Sequence, residues 1–319
     1  MKRAATDVDG GENPNPAAKI IRTDALSGSS DPLGLIWDCD NYSCAYDSLF
    51  TVLSNIWTDA PNVWSDRFDN VSGYLSMLSE GFLLVKNESI SFEAARDTVR
   101  LELHRLDSTE YPMGAAFTCL AALTHRMMVK EERCDSGTTF LSCVACGYKG
   151  NTLLHIGEYL SLNDAGPFHD SMCERGQISD CLGWHLSDHQ KTSQIPCPRC
   201  SEANTNPRNQ LALQVSMNRI PYIMCVMLNQ DTLRINDTLS YPEAQYSVFF
   251  RLRGVVYGDG NHFVARLVTK HGDVWYHDGM TTGSVCVFEG RLDWITDRDW
   301  LMNTSRGYNH CKAMLAIYG

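Results

Sequence analysis

The stretch DNYSCAYDSLFTVLSNIW, residues 40–57, sets a cysteine directly ahead of an apolar helical repeat. Leu49, Val52, Leu53 and Ile56 recur at helical spacing, and Ser43 or Asn41 stands where a helix cap belongs. A thiol is a useful nucleophile only as its thiolate, and the partial positive charge at a helix N-terminus favours that form. A cysteine in front of an apolar helix is more often a core residue, so reading Cys44 as reactive requires a base elsewhere in the chain.

The base candidate stands in VVYGDGNHFVARLVTKHGDVWYHDG, residues 255–279. His262 follows a glycine-rich bend and opens a strand, and KHGD at 270–273 reads as a hairpin turn. The chain then returns as VWYHDG, which brings Asp278 back beside His262 on the paired strand. An acid in that place holds the imidazole's tautomer and stabilises its charged form. The plainer readings are a solvent-facing histidine at a strand end and an Asp-Gly turn.

The whole chain has 319 residues, 44% hydrophobic and 20% charged, with a formal net charge of −11. That length and apolar content suit one large domain or two coupled ones. The acidity argues against nucleic acid or an anionic membrane as the main partner and suits a neutral or basic protein. No apolar run approaches a membrane span and the N-terminus lacks a signal peptide's apolar stretch, so the expected location is intracellular, in cytoplasm or nucleus. Thirteen cysteines in such a compartment are expected to be thiols, metal ligands or catalysts. Residues 1–31 are polar, rich in Gly, Pro, Asn and Ser, and read as a disordered tail. Its basic clusters, Lys2-Arg3 and KIIR at 19–22, are a loose nuclear signal or simply solvated charge.

From about 45 to 130 the pattern is mostly helical, as in SFEAARDTVRLELHRL (91–106) and PMGAAFTCLAALTHRMM (112–128). From about 139 short apolar runs take over, among them TTFLSCVAC, PYIMCVML, YSVFFRLRGVVY and DVWYH, and no internal repeat is present. Helices first and strands later predict an α+β fold. Two CxxC pairs, Cys143/Cys146 and Cys197/Cys200, have the spacing with which two backbone knuckles close a tetrahedral four-thiolate site, the usual form of structural zinc. Residues 147–196 intervene, so the knuckles must sit on neighbouring hairpins with an insertion between them. That insertion carries His169, Cys173, Cys181, His185 and His189, either a second zinc set or a polar loop.

Taken in this order, the segments resemble the ubiquitin-specific protease family, hand-shaped cysteine peptidases with thumb, palm and fingers. The family's cysteine box, N-x-G-N-T-C-Y-M-N-S-x-L-Q, is met by NYSCAYDSLFTVL, which keeps the Cys and the Ser four residues on. Its histidine box, G-H-Y, then a strand, then W-Y-x-F-D-D, is followed by GNHFVARL and VWYHDG. The paired CxxC motifs match its fingers. NRIPYIMCVML (218–228), YPE (241–243) and KAMLAIY (312–318) match its later strands, so the resemblance covers about residues 33–319.

The resemblance implies a papain-like α+β peptidase with a helical thumb at about 32–135, zinc-stapled β fingers at about 136–215 and a β palm at about 216–319. It implies Cys44 as nucleophile, His262 as general base, Asp278 as orienting acid, and Cys143, Cys146, Cys197 and Cys200 as ligands of a structural Zn2+. Its substrates are conjugates of ubiquitin or a ubiquitin-like protein, SUMO included, cleaved through a thioester. The walls of that family's glycine-only channel would be built here from Trp275, Tyr276, Phe263 and Tyr257, the plainer reading being that each of these aromatics packs in the core.

The chain departs from the pattern in three places. Cys39 stands where the family has its oxyanion Asn, leaving Asn41 or backbone N–H groups at the helix start for that role. The end of the histidine box is one residue shorter, and GHY is NHF. The alternatives are a module that keeps the fold and grips a ubiquitin-like partner without chemistry, and an ovarian-tumour-type thiol enzyme, against which the CxxC pairs argue.

Overall fold

The apolar stripe after Cys44 folds into a helix, α1 (Cys44–Asp59), in the computed structural model of the chain. The structure describes residues 31–129, 137–161, 176–186, 192–202, 209–228, 233–243, 246–304 and 310–319, so the predicted tail lies almost wholly outside the described residues. Pro32–Gly319 forms one compact unit.

Leu49, Phe50, Val52, Leu53 and Ile56 of α1 are fully buried because the helix is covered on nearly all sides. Around it pack α2 (Pro61–Val71), α3 (Gly73–Lys86), α4 (Phe92–Leu106) and α5 (Leu120–Met128). Ser72 and Ser91 cap α3 and α4, each hydroxyl accepting an N–H three residues on at 3.1 Å. The helix predicted over 112–128 begins only at Leu120. Pro112 and a left-handed Gly114 (φ 82°) keep the preceding residues out of helix.

After the helices come β1 (Gly137–Ser142), β2 (Lys149–Ile156), β3 (Tyr159–Ser161), α6 (Ile178–Leu186), β4 (Thr192–Pro196), α7 (Pro198–Glu202), β5 (Gln210–Met217), β6 (Met224–Met227), β7 (Thr238–Glu243), β8 (Tyr246–Gly258), β9 (Phe263–Val268), β10 (Asp273–His277), β11 (Val287–Arg291), β12 (Asn303–Thr304) and β13 (Cys311–Tyr318). This is the predicted α+β class. Four strands form a small sheet in the order β2-β1-β5-β4. The others form a large sheet, β11-β10-β9-β8-β13-β6-β3, with β7 against β8 and β12 against β13. The sequence reading placed Tyr159–Ser161 with the CxxC strands, yet β3 pairs in parallel with β6 at the edge of the large sheet. KHGD forms the β9–β10 turn as predicted, with Gly272 left-handed (φ 86°) and its N–H on the Thr269 carbonyl at 2.9 Å.

The strands β6 and β9 are buried on both faces, so β6 reads as a continuous apolar run and β9 is broken only by the buried Arg266. Phe263, Ala265 and Leu267 join the helical core with α1. Val264, Val268, Val274 and Tyr276 face a second core with Ile178 and Leu182 of α6. Helix α1 lies against β8 and β9 so closely that a Cβ on Gly254 would fall 2.5 Å from Val52 Cγ1 and 3.0 Å from the Arg266 carbonyl. Gly254→Ala is therefore expected to destabilise the protein by about 1–3 kcal/mol. Val52→Ala in the same chain should recover part of that loss in a denaturant double-mutant cycle. Additive effects of the two changes would refute the close contact. Among the described residues no helix is long and apolar enough to cross a membrane.

Candidate active site and four-thiol cluster

Cys44 is the first residue of α1 and is 3% exposed. Because α1 docks on β9, its N-terminus reaches the start of that strand, where His262 stands. The bend before His262 is held by Asp259, whose carboxylate accepts the N–H groups of Asn261 and His262 at 2.9 Å each. The β9–β10 ladder ends at the pair Ala265–His277, and His262 and Asp278 lie just beyond it. His262 Nε2 meets Asp278 Oδ1 at 2.8 Å, and the Cys44 thiol lies near enough to the same imidazole to favour its charged form. With Nε2 committed to the acid, Nδ1 is the nitrogen left for the sulfur.

The acid is itself well held. Asp278 Oδ1 accepts the Met280 N–H at 3.0 Å, and Oδ2 accepts the Thr281 hydroxyl at 2.7 Å. Burial alone would raise its carboxyl, but the bonds from His262 and Thr281 hold it below the ordinary value. Burial likewise pulls His262 down, yet the hydrogen bonds and charges of Asp278 and Cys44 outweigh it and push the imidazole up to about 10. At neutral pH the arrangement thus favours an imidazolium lying between a carboxylate and a sulfur.

The backbone before the nucleophile crosses the backbone after the acid. Gly34 donates to Ser284 O at 3.0 Å and Trp37 to Gly279 O at 3.2 Å. A Cβ on Gly279 would stand 2.7 Å from the Leu35 carbonyl, so the glycine after Asp278 allows a close backbone approach as well as a turn. Asn41 sits beside Cys44 as a bracket: its Nδ2 donates to Asp38 Oδ2 at 2.8 Å, and its Oδ1 accepts the Gly114 N–H at 2.9 Å. That engagement leaves one amide hydrogen for an oxyanion. The N–H groups of the first turn of α1 have no intrahelical acceptor, and the N-cap Ser43 side chain does not cap them.

The aromatic walls expected from sequence are corrected in part. Tyr257 and Tyr276 belong to the second core and Phe263 to the helical core, all of them buried, so none of the three lines an open channel. Trp275 is only partly buried and packs edge-on against Phe288. Two residues before the nucleophile, Tyr42 lies 6.3 Å from Trp37 and 5.0 Å from Phe117, ring centre to ring centre.

The four CxxC cysteines come together. The first knuckle lies in the β1–β2 connection and the second at the start of α7, beside β5, and β1 and β5 are adjacent strands. All four sulfurs lie within 4.8 Å of one another, with Cys143–Cys200 at 3.8 Å and Cys146–Cys197 at 3.5 Å. Four sulfurs around an ion at ~2.3 Å would stand ~3.8 Å apart, so the cluster fits a tetrahedral metal. Gly147 is left-handed (φ 68°) and closes the first knuckle, its N–H on the Cys143 carbonyl at 2.9 Å. Of the suggested second metal set, His169, Cys173 and His189 lie outside the described residues. Cys181 is buried in the second core and held in a disulfide, which removes it as a ligand.

The sequence reading missed Asp47 and Arg96, which meet at 2.7 Å beneath the nucleophile, each 2% exposed. It also missed Arg100, whose guanidinium lies 4.9 Å from the Tyr46 ring centre and donates to the carbonyls of Asn41 and Pro112. A signal was present: Arg96, Val99, Arg100 and Leu103 share one helical stripe, so two arginines fall on the face the apolar residues bury.

No family model matches this sequence, and no curated protein matches it. Among solved structures the chain is similar to the SAGA Ubp8/Sgf11/Sus1/Sgf73 DUB module bound to ubiquitin aldehyde, at TM-score 0.49 and 12% identity over 92% of this chain and 71% of that one. A yeast SAGA DUB module with a mutant Sgf73 matches at 0.45 and 14% over 93% and 71%. A SAGA DUB module with a mutant Ubp8, bound to monoubiquitin, matches at 0.43 and 12% over 93% and 72%. Values this low carry neither activity nor partner over to this chain.

Proposed function

We propose that this protein is a thiol hydrolase that removes ubiquitin, or a closely related modifier, from conjugates. The observation that carries the reading is the line from the Cys44 thiol through the His262 imidazole to the Asp278 carboxylate, built from a helix start and two strand ends. The ordered resemblance of five sequence segments to the ubiquitin-specific proteases supports the choice of substrate.

In the proposed reaction the Cys44 thiolate attacks the carbonyl carbon of the modifier's C-terminal glycine. The C–N bond breaks, His262 gives its proton to the departing lysine amine, and a thioester remains on Cys44. His262 then takes a proton from water, which attacks the thioester and returns the thiol. First-turn N–H groups of α1 and the free hydrogen of the Asn41 amide are the nearest donors for the oxyanion. Cys143, Cys146, Cys197 and Cys200 would hold one Zn2+, which would tie the two knuckles together and take no part in the chemistry.

Ubiquitin carrying a C-terminal electrophile is expected to label the wild type and to leave Cys44→Ala untouched, read as a mass increase on a gel. A SUMO probe run beside it decides the modifier. Labelling by neither, with intact probe binding, would turn the reading to a gripping module without chemistry.

A further inference from the structure

We propose that Arg96, Asp47 and Ser43 are positioning residues that set the reactivity of Cys44 by holding the segment that leads into it. The inference rests on the Cys44–His262 reading above and adds how that meeting is enforced.

One guanidinium touches the segment at its entrance, at its exit and on the helix beyond. Arg96 Nη1 donates to the Ile36 carbonyl at 2.8 Å, to Ser43 Oγ at 3.3 Å and to Asp47 Oδ1 at 2.7 Å, while its Nε holds Asp97 at 2.7 Å. Ser43 Oγ donates to Asp47 Oδ2 at 2.6 Å and accepts the Asp38 N–H at 2.7 Å. Asp38 in turn accepts from Asp40 N and Asn41 Nδ2, and Asn41 bonds Gly114. A chain of polar contacts therefore runs from α4, under the nucleophile, to the loop before α5.

Three features point beyond packing. Ser43 is fully buried at the N-cap yet spends its hydroxyl on Asp47 and Asp38 instead of on the helix's own N–H groups, so it serves the segment. A buried ion pair costs desolvation that its attraction barely offsets, and apolar residues would fill the same space as well; what the pair adds is a fixed geometry. The segment also contains Tyr42 at φ 45°, a left-handed conformation unfavourable for a side chain of that size, which persists only where neighbours enforce it. Without the Ser43 link, Tyr42 relaxes, the first turn of α1 loosens and Cys44 drifts from His262. Among the described residues the charged groups around this turn include His262 and Asp278 from the sheet, Glu93, Arg96, Asp97 and Arg100 from α4, and Asp38, Asp40 and Asp47 of the segment and helix themselves.

The test is the rate at which iodoacetamide alkylates Cys44 in the whole, zinc-loaded chain, followed by mass spectrometry of the Cys44 peptide across pH. Wild type, His262→Ala, Ser43→Ala and Arg96→Gln are compared, with thermal midpoints measured in parallel. The wild type should stay reactive down to about pH 6, whereas Ser43→Ala and Arg96→Gln should follow an ordinary thiol and lose roughly 10–100-fold there. Ser43→Ala decides the matter if Arg96→Gln does not fold, because it leaves the ion pair in place. A Ser43→Ala profile that overlays the wild type, with only its midpoint lowered, would overturn the inference and leave the network a structural one. A wild-type profile that overlays His262→Ala would instead refute the Cys44–His262 reading, and this inference with it.

Discussion

His262→Ala should lower kcat/KM on a fluorogenic ubiquitin C-terminal substrate by on the order of 10^4-fold, with the fold retained. The imidazole is asked to hold the thiolate in the ground state and to protonate the leaving amine later, and among the described residues no other group pairs with Asp278 in that position. Asp278→Asn should keep the geometry and still lose much of the rate, because the acid fixes which nitrogen faces the sulfur. A second readout is independent of substrate. His262 has its folded value raised to about 10 from an ordinary 6.5, so it stabilises the folded state fully below about pH 6.5. That contribution is lost as the pH rises towards 10. Denaturant midpoints of the wild type should fall across this interval more steeply than those of His262→Ala. Parallel slopes, or kcat/KM within tenfold of wild type, would show that the imidazole is not paired as drawn.

Removing the metal, by a strong chelator or by Cys197→Ser, is expected to unfold the small sheet while the helical core stays folded. The reason is the size of what is left. Among the described residues the buried apolar cluster at the four thiols is Leu141 and Leu211 together with the cysteines themselves, a small core for four strands. Structural zinc contributes apparent binding energies of about 10–16 kcal/mol in comparable four-ligand sites, far more than those two leucines provide. Amide exchange should therefore speed up across β1, β2, β4 and β5, while α1 and β9 keep their protection. Unchanged exchange in the small sheet after verified metal loss would mean that the four thiols need no ion.

What was legible in the sequence was whatever local spacing encodes. The 3.6-residue stripe of α1, the KHGD turn and the two knuckles each follow from neighbours in the chain, and each stands where spacing puts it. The meeting of Cys44 with His262 was legible only as an order of segments, since nothing in either stretch specifies the distance between them. Tyr257, Tyr276 and Phe263 stayed open between channel wall and core for a related reason: period and polarity give burial, but not which of two buried faces an aromatic joins. The Arg96–Asp47 pair was hidden because a charged residue on a helix is ordinarily solvated, and only tertiary packing turns it inward. The late start of α5 at Leu120 follows from Pro112 and Gly114, which outweigh the helix-forming residues around them.

The position of β13 bears on when such an enzyme first becomes dangerous. Cys311–Tyr318 leaves the ribosome after every other described strand, yet it is an interior strand, hydrogen-bonded to β8 on one side and β6 on the other. A chain lacking it would leave a gap in the middle of its main sheet, with β6 and β3 cut off from the β8–β9–β10–β11 ladder that ends beside His262. If the proposed reading holds, the pairing of Cys44 with His262 would be complete only once this last strand has been threaded into place.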